Sequence, residues 1–222
     1  MTLTIYYVVD PMCSWCWGFA PVWRDFVSEI PESATVVDLM GGLAPDNEAP
    51  MDSAMRQYVQ DAWGAVNART GAEFNFEFWD KCEPKRSTYP ACRAVIAAGE
   101  QASGARRTMY DAIQRAYFFG ARNPSDAEVL ECIAAEIGLD REKFGEDLRS
   151  GHVERILQLE LESVAKLGVS GFPTVVGKRE RAGEPARYDL LAAGFSELDV
   201  LRGRWRLFLS RAGNTVAGRK FS

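Results

Sequence analysis

The chain has a single histidine, His152, no run of about 18 apolar residues, and no low-complexity tract or repeat. Without a long apolar run no helix is expected to span a bilayer. Positive charge is also short, with 26 Lys and Arg against 31 Asp and Glu and a net charge of −5. That balance argues against nucleic acid or an anionic membrane surface as a partner. Basic residues are missing from the start, where "MTLTIYYVVD" offers no Lys or Arg before Arg24 and so no n-region of a secretory signal. A cytoplasmic protein is therefore expected, in a compartment that keeps thiols reduced. The five cysteines are an odd number, which fits poorly with a static disulfide framework.

What is present is core-forming material. Of 222 residues 47% are hydrophobic and 11% aromatic, enough for one large domain or a small domain with an insertion. Leu3 to Val9 reads as a strand, stopped by Asp10-Pro11. A helix follows over Ser14 to Glu29, with Phe19, Trp23, Phe26 and Ile30 on one stripe and Pro31 closing it. Ala34 to Met40 is a second strand, so the opening is βαβ with parallel strands and a right-handed crossover.

From about Pro50 to Leu167 the pattern is helical, with Gly71, Gly138 and Gly168 as stops. Thr88-Tyr89-Pro90 starts an Ala-rich helix expected to reach Ser103, and Ser125 with Glu128 reads as a capping box. Extended segments return at Thr174 to Val176 and at "ARYDLL", a hairpin across Lys178 to Pro185. A last helix covers Ser196 to Arg211, with Leu198, Leu201, Trp205, Phe208 and Leu209 inward. The expected organisation is one α/β domain, residues 1–48 and 168–222, split by an all-helical domain, residues 49–167.

The chemistry sits in "DPMCSWCWGF", Asp10 to Phe19. Two thiols at this spacing suit a zinc ligand pair or a redox pair. Zinc needs about four ligands, and Cys82, Cys92, Cys132 and His152 supply no second close pair, so no metal is expected. The redox reading places Cys13 at a helix N-terminus, where free N–H groups and the helix dipole favour a thiolate. Cys13 is then the nucleophile and Cys16, one turn on, the resolving thiol. Pro21 falls inside the helix, and Pro173, entering a strand, is a candidate for a cis bond.

Together "DPMCSWCWGF", "STYPACRAV" and "GVSGFPT" resemble the DsbA-like branch of the thioredoxin superfamily, and within it the FrnE-like group of protein-disulfide isomerases. The resemblance implies a thioredoxin fold split by an all-helical insertion that caps the cysteine pair, with Cys13 attacking, Cys16 resolving and Pro173 as the cis proline beside them. It further implies that Phe172 presents its backbone to a peptide and that its ring lines the groove. Protein or peptide disulfides are the implied partners. No cofactor is expected beyond the Cys13–Cys16 disulfide, with glutathione as a candidate co-substrate. The function so read is thiol-disulfide oxidoreductase or isomerase. The alternatives are a DsbA-like adaptor without redox turnover and a kappa-type glutathione transferase, whose members carry Ser in place of Cys13.

Several residues depart from the family pattern or carry a second reading. Ser14-Trp15 replaces Pro-His between the cysteines, so a less oxidising pair is expected. Trp15 is expected on an exposed rim touching substrate, and Trp17, Trp23, Trp63, Trp79 and Trp205 in the core. Ser87 is expected to cap a helix rather than act in the site. Tyr7 stands where relatives bury an acid. Asp10 either tunes Cys13 or ends the strand. Cys132 is read as inert core, and Cys82 with Cys92 is left open as an auxiliary pair. His152, "YFFG" at Tyr117 to Gly120 and "RGRWR" at Arg202 to Arg206 are read as a solvent-facing first turn, a helix-end core and a solvated face.

Overall fold

The computed structural model describes residues 1–213. Among them β1 (Thr2–Val9), α1 (Ser14–Ser28) and β2 (Ala34–Met40) form the expected opening. Seven helices come next: α2 (Ser53–Thr70), α3 (Phe78–Lys81), α4 (Tyr89–Gly99), α5 (Ala105–Phe118), α6 (Ala127–Glu136), α7 (Arg141–Leu148) and α8 (Gly151–Lys166). The chain then returns through β3 (Thr174–Glu180), β4 (Arg187–Ala193) and α9 (Leu198–Gly213). This is a thioredoxin fold with seven helices inserted between β2 and β3. Residues 214–222 of the expected second α/β segment lie outside the described residues.

The sheet order is β2-β1-β3-β4. β2 runs parallel to β1, Leu3 facing Ala34 through Val9 facing Met40, because the α1 crossover returns the chain to the same end. β3 is antiparallel to β1 and β4 to β3, with a register shift between Val175 and Val176. β3 is longer than the sequence suggests. Lys178 and Arg179 read as turn residues, yet on the strand they pair with Glu180 and Asp189 at 2.8 and 2.6 Å.

One face of the sheet carries the main core. The α1 stripe buries Phe19, Trp23 and Phe26 among Ile5, Tyr7 and the α9 residues Leu201, Trp205 and Phe208. Tyr7 stacks on Trp23 with ring centroids 3.9 Å apart, and Phe26 meets Trp205 edge-on at 6.2 Å. Each such side chain contributes about 1.5–3 kcal/mol relative to exposure, so Trp23→Ala alone should cost about 3–5 kcal/mol. In the insertion Trp63 is fully buried among Phe74, Phe78, Trp79, Tyr117 and Phe118. On the opposite sheet face Val8, Leu39 and Val164 form a smaller cluster with Val169 and Phe172 packed against it.

Three local expectations change. α4 stops at Gly99, four residues before Ser103. The N-cap of α6 is Asp126, and the Ser125 hydroxyl instead donates to the Ser87 carbonyl at 2.8 Å, so no capping box forms. The Arg202 face is not simply solvated: Arg202 is half-buried and binds Glu29 at the end of α1, joining α9 to it.

Candidate redox site

β1 delivers the chain to Asp10, and the turn that follows sets Cys13 in place. The Cys13 N–H donates to the Asp10 carbonyl at 3.1 Å, and the Met12 N–H to Asp10 Oδ1 at 2.8 Å. Cys13 is the N-cap of α1, with extended backbone, and its Sγ accepts the Cys16 N–H at 3.3 Å. A sulfur therefore takes the position that a Ser or Asp oxygen fills at an ordinary N-cap. The first turn of α1 has no acidic residue, so its free N–H groups and dipole act on the sulfur unopposed from within the helix.

From the far end of the chain comes the second element of the site. The Phe172–Pro173 peptide bond is cis. The Phe172 carbonyl accepts from the Cys13 Sγ at 3.7 Å, across 159 residues of sequence. Phe172 itself is half-buried, and its ring lies against Gly41: a Cβ there would overlap the ring carbons. Its ring also lines a groove of 540 Å³ with Val169, Thr174, Tyr188, Leu190 and Gly194. A cavity of 670 Å³ between α1, β2 and α5, bordered by Trp23, Asp38 and Arg107, is lined by neither cysteine.

The two thiols differ. Cys13 keeps 6% of its surface exposed and Cys16 none, so Cys13 is the more accessible of the two. Burial and then the neighbouring Cys13 push the Cys16 thiol well up. Beneath the pair, Tyr7 is buried at the offset where relatives place an acid, and its hydroxyl is likewise pushed up by burial and by Cys16. One strand over, Asp38 faces Tyr7 in register and binds Arg107 at 2.7 Å, and the Arg107 guanidinium covers the Tyr7 ring at 5.5 Å.

The sequence did not disclose the surroundings of Asp10. Its carboxylate is fully buried, and Oδ2 accepts the Leu43 N–H at 2.7 Å, the Thr88 hydroxyl at 2.6 Å and the Cys92 thiol at 3.6 Å. Ser87 does not cap α4: the N-cap is Thr88, whose hydroxyl serves Asp10 rather than the helix. Cys92 and Cys82 point to different acceptors, Asp10 and the Ala121 carbonyl, the latter at 3.3 Å.

Trp15 is half-buried against the main core instead of standing on an exposed rim. Trp17 is half-buried too, stacked on Phe118 at 5.6 Å with its indole N–H on the Glu73 carbonyl. Trp23, Trp63, Trp79 and Trp205 are core residues, as the sequence suggests, and His152 is exposed, 3.2 Å from Glu100. Of "YFFG", Tyr117 and Phe118 are buried and Phe119 is exposed. Among the described residues no three His, Cys, Asp or Glu side chains gather as a metal site, and no helix is long and apolar enough to cross a membrane.

Comparison with known proteins agrees with this geometry. The family model described as thioredoxin matches residues 6–200. A Nitrosomonas europaea protein proposed to be a protein disulfide isomerase superposes with a TM-score of 0.82 at 27% identity, over 95% of this chain and 99% of its own. The cytosolic disulfide reductase DsbM from Pseudomonas aeruginosa gives 0.72 at 27% identity over 94% and 99%, and a second structure of it contains GSH. Among curated proteins, the ClpXP adapter protein SpxH of Bacillus subtilis is 29% identical over 78% of this chain. The chain spans 57% of that relative's length, a little over half. With a thioredoxin model matched along most of its length and DsbA-like oxidoreductases as structural neighbours, the chain belongs to the thioredoxin family, in its DsbA-like branch.

Proposed function

We propose that the chain is a cytoplasmic thiol-disulfide oxidoreductase that works as a reductase or isomerase on protein or peptide disulfides. The observation that carries this reading is the placement of Cys13: an N-cap sulfur that accepts the Cys16 N–H and stands beside the carbonyl before the cis proline. The Cys13 thiolate attacks a substrate disulfide R–S–S–R′, forming Cys13–S–S–R and releasing R′–S⁻. Cys16, once deprotonated, attacks the Cys13 sulfur, forming Cys13–S–S–Cys16 and releasing R–S⁻. Two electrons pass from the pair to the substrate. Two glutathione thiols return the pair to the dithiol and leave as glutathione disulfide.

Phe172 and Pro173 form the substrate edge, with the Phe172 backbone facing the incoming peptide and Trp15 supporting it from the core side. The helical segment from Ser53 to Lys166 serves as a cap domain over the pair, divided from the rest at about residues 49 and 167. The GSH-containing DsbM structure supports glutathione as co-substrate, and the surrounding reducing pool favours reduction or isomerisation over net oxidation. The test is exchange with a disulfide-bonded peptide. Cys13→Ser should fall to background, and Cys16→Ser should accumulate a mixed disulfide with the peptide. Full activity in Cys13→Ser would end the assignment.

A second reading, an adaptor that holds a client protein, rests on the likeness to SpxH. Its mark would be a variant lacking both Cys13 and Cys16 that binds its client at undiminished affinity.

A further inference from the structure

Asp10 is the only carboxylate joined by hydrogen bonds, among the described residues, to both the cysteine turn and the helical insertion. It lies three residues before Cys13 and is wholly buried. Four donors converge on it: the N–H groups of Met12 and Leu43, the Thr88 hydroxyl and the Cys92 thiol. Burial and these four donors are the main influences on it. Its charge is thus held by hydrogen-bond dipoles close to the pair.

We propose that Asp10 is a positioning residue for the redox reaction: its buried charge, fixed by Met12, Leu43, Thr88 and Cys92, favours the disulfide over the thiolate form of Cys13 and Cys16. This rests on the oxidoreductase reading above. The sign follows from charge counting. The reduced pair carries a thiolate during exchange, and a second anion nearby raises its energy. The disulfide is neutral and feels no such penalty. Asp10 therefore makes the pair a stronger reductant, against the helix N-terminus, which pulls the other way.

The titratable groups coupled to the carboxylate are Cys13 and Cys16 at the start of α1, Tyr89 and Cys92 in α4 and Tyr117 in α5; Arg86 acts on Tyr117, and Asp46, Glu154 and Glu160 act on Tyr89 or Cys92. Burial raises the carboxyl above its ordinary value, while the four hydrogen bonds partly restore it. The Asp10 charge raises the Cys92 thiol, and at Cys16 it raises the thiol against the Asp10 backbone hydrogen bond, which lowers it. Coupling of this kind is reciprocal, so reducing the pair must also raise Asp10.

The experiment is Asp10→Asn, which keeps the shape and one acceptor and removes the charge. Wild-type and variant are equilibrated with glutathione and glutathione disulfide, where Cys13–S–S–Cys16 plus two glutathione thiols gives the dithiol plus glutathione disulfide. The constant should move about tenfold toward the dithiol in the variant, about 30 mV for two electrons. The gap should shrink as the pH falls and wild-type Asp10 protonates, a response that a merely structural defect would not give. An unchanged constant at every pH, with exchange intact, overturns the proposal and leaves the oxidoreductase reading standing. No exchange in the wild-type overturns both.

Should Asp10→Asn fail to fold, wild-type protein with ¹³C-labelled aspartate decides the matter. The buried Asp10 carboxyl should titrate at a higher pH in the reduced protein than in the oxidised one. The same midpoint in both states overturns the proposal.

Discussion

Cys13 Sγ stands 3.7 Å from the carbonyl oxygen of Phe172, a residue 159 positions away. The contact joins the start of α1 to the loop before β3. The loop's position depends on Gly41, which follows β2 and leaves room for the Phe172 ring beside its backbone.

Gly41→Ala drives a methyl group into that ring. Overpacking of this kind costs about 1–3 kcal/mol, and the strain falls on the loop that carries the Phe172 carbonyl. Urea unfolding should show the loss, and peptide exchange should slow. Wild-type stability and rate together would show that the ring moves aside freely and that Phe172 is not held by Gly41.

Thr88→Val leaves the buried Asp10 carboxylate with one donor fewer. A buried charge that loses a hydrogen bond costs about 1–3 kcal/mol, whereas Thr88→Ser keeps the hydroxyl and should recover most of it. Equal midpoints for Val and Ser in denaturant would mean that the 2.6 Å bond contributes little.

The protein's pH response carries a readable sign. Burial raises the Glu160 carboxyl above its ordinary value despite Arg106 at 2.6 Å. The folded state therefore keeps the proton to a higher pH than the unfolded one. Its contribution to stability is full below the unfolded value, near pH 4.3, and is lost as pH rises through the folded value. Glu160→Gln removes this titration while retaining an acceptor for the Met40 N–H. Between about pH 4 and pH 7, wild-type stability should decline relative to the variant. Parallel curves would contradict the assignment.

Counting thiols separates the cysteines. Oxidation should leave Cys82, Cys92 and Cys132 reduced, because Cys82 and Cys92 bind separate acceptors. Mass spectrometry after alkylation should find three modified cysteines of the five. A Cys82–Cys92 bridge would overturn that division.

Much of the architecture was legible because its signals are local. The β-branched run of Leu3 to Val9, the stripe Phe19-Trp23-Phe26 and the cysteine spacing each specify their element without distant help. Pro173 followed by an apolar run marked the strand entry. The errors came from side chains whose partners are far away in sequence. Ser125 resembles a cap, yet it bonds Ser87, 38 residues back. Thr88 lies beside the expected cap, yet it serves Asp10, 78 residues back. Trp15 looked like a rim residue because no local pattern shows the core against which it is half-buried. The long-range carboxylate clamp was invisible for the same reason: the alignment of Asp10, Leu43, Thr88 and Cys92 exists only after the insertion has folded onto the sheet.

The most direct test of redox function at Cys13 is equilibration of the purified protein against graded glutathione buffers, followed by Trp fluorescence, with Cys13→Ser beside it. The expected result is a reversible two-electron transition with a midpoint nearer the −270 mV of thioredoxin than the −120 mV of DsbA, about the cytosolic range, and absent from the variant. A flat response in the wild-type protein, or the same transition in Cys13→Ser, would contradict it.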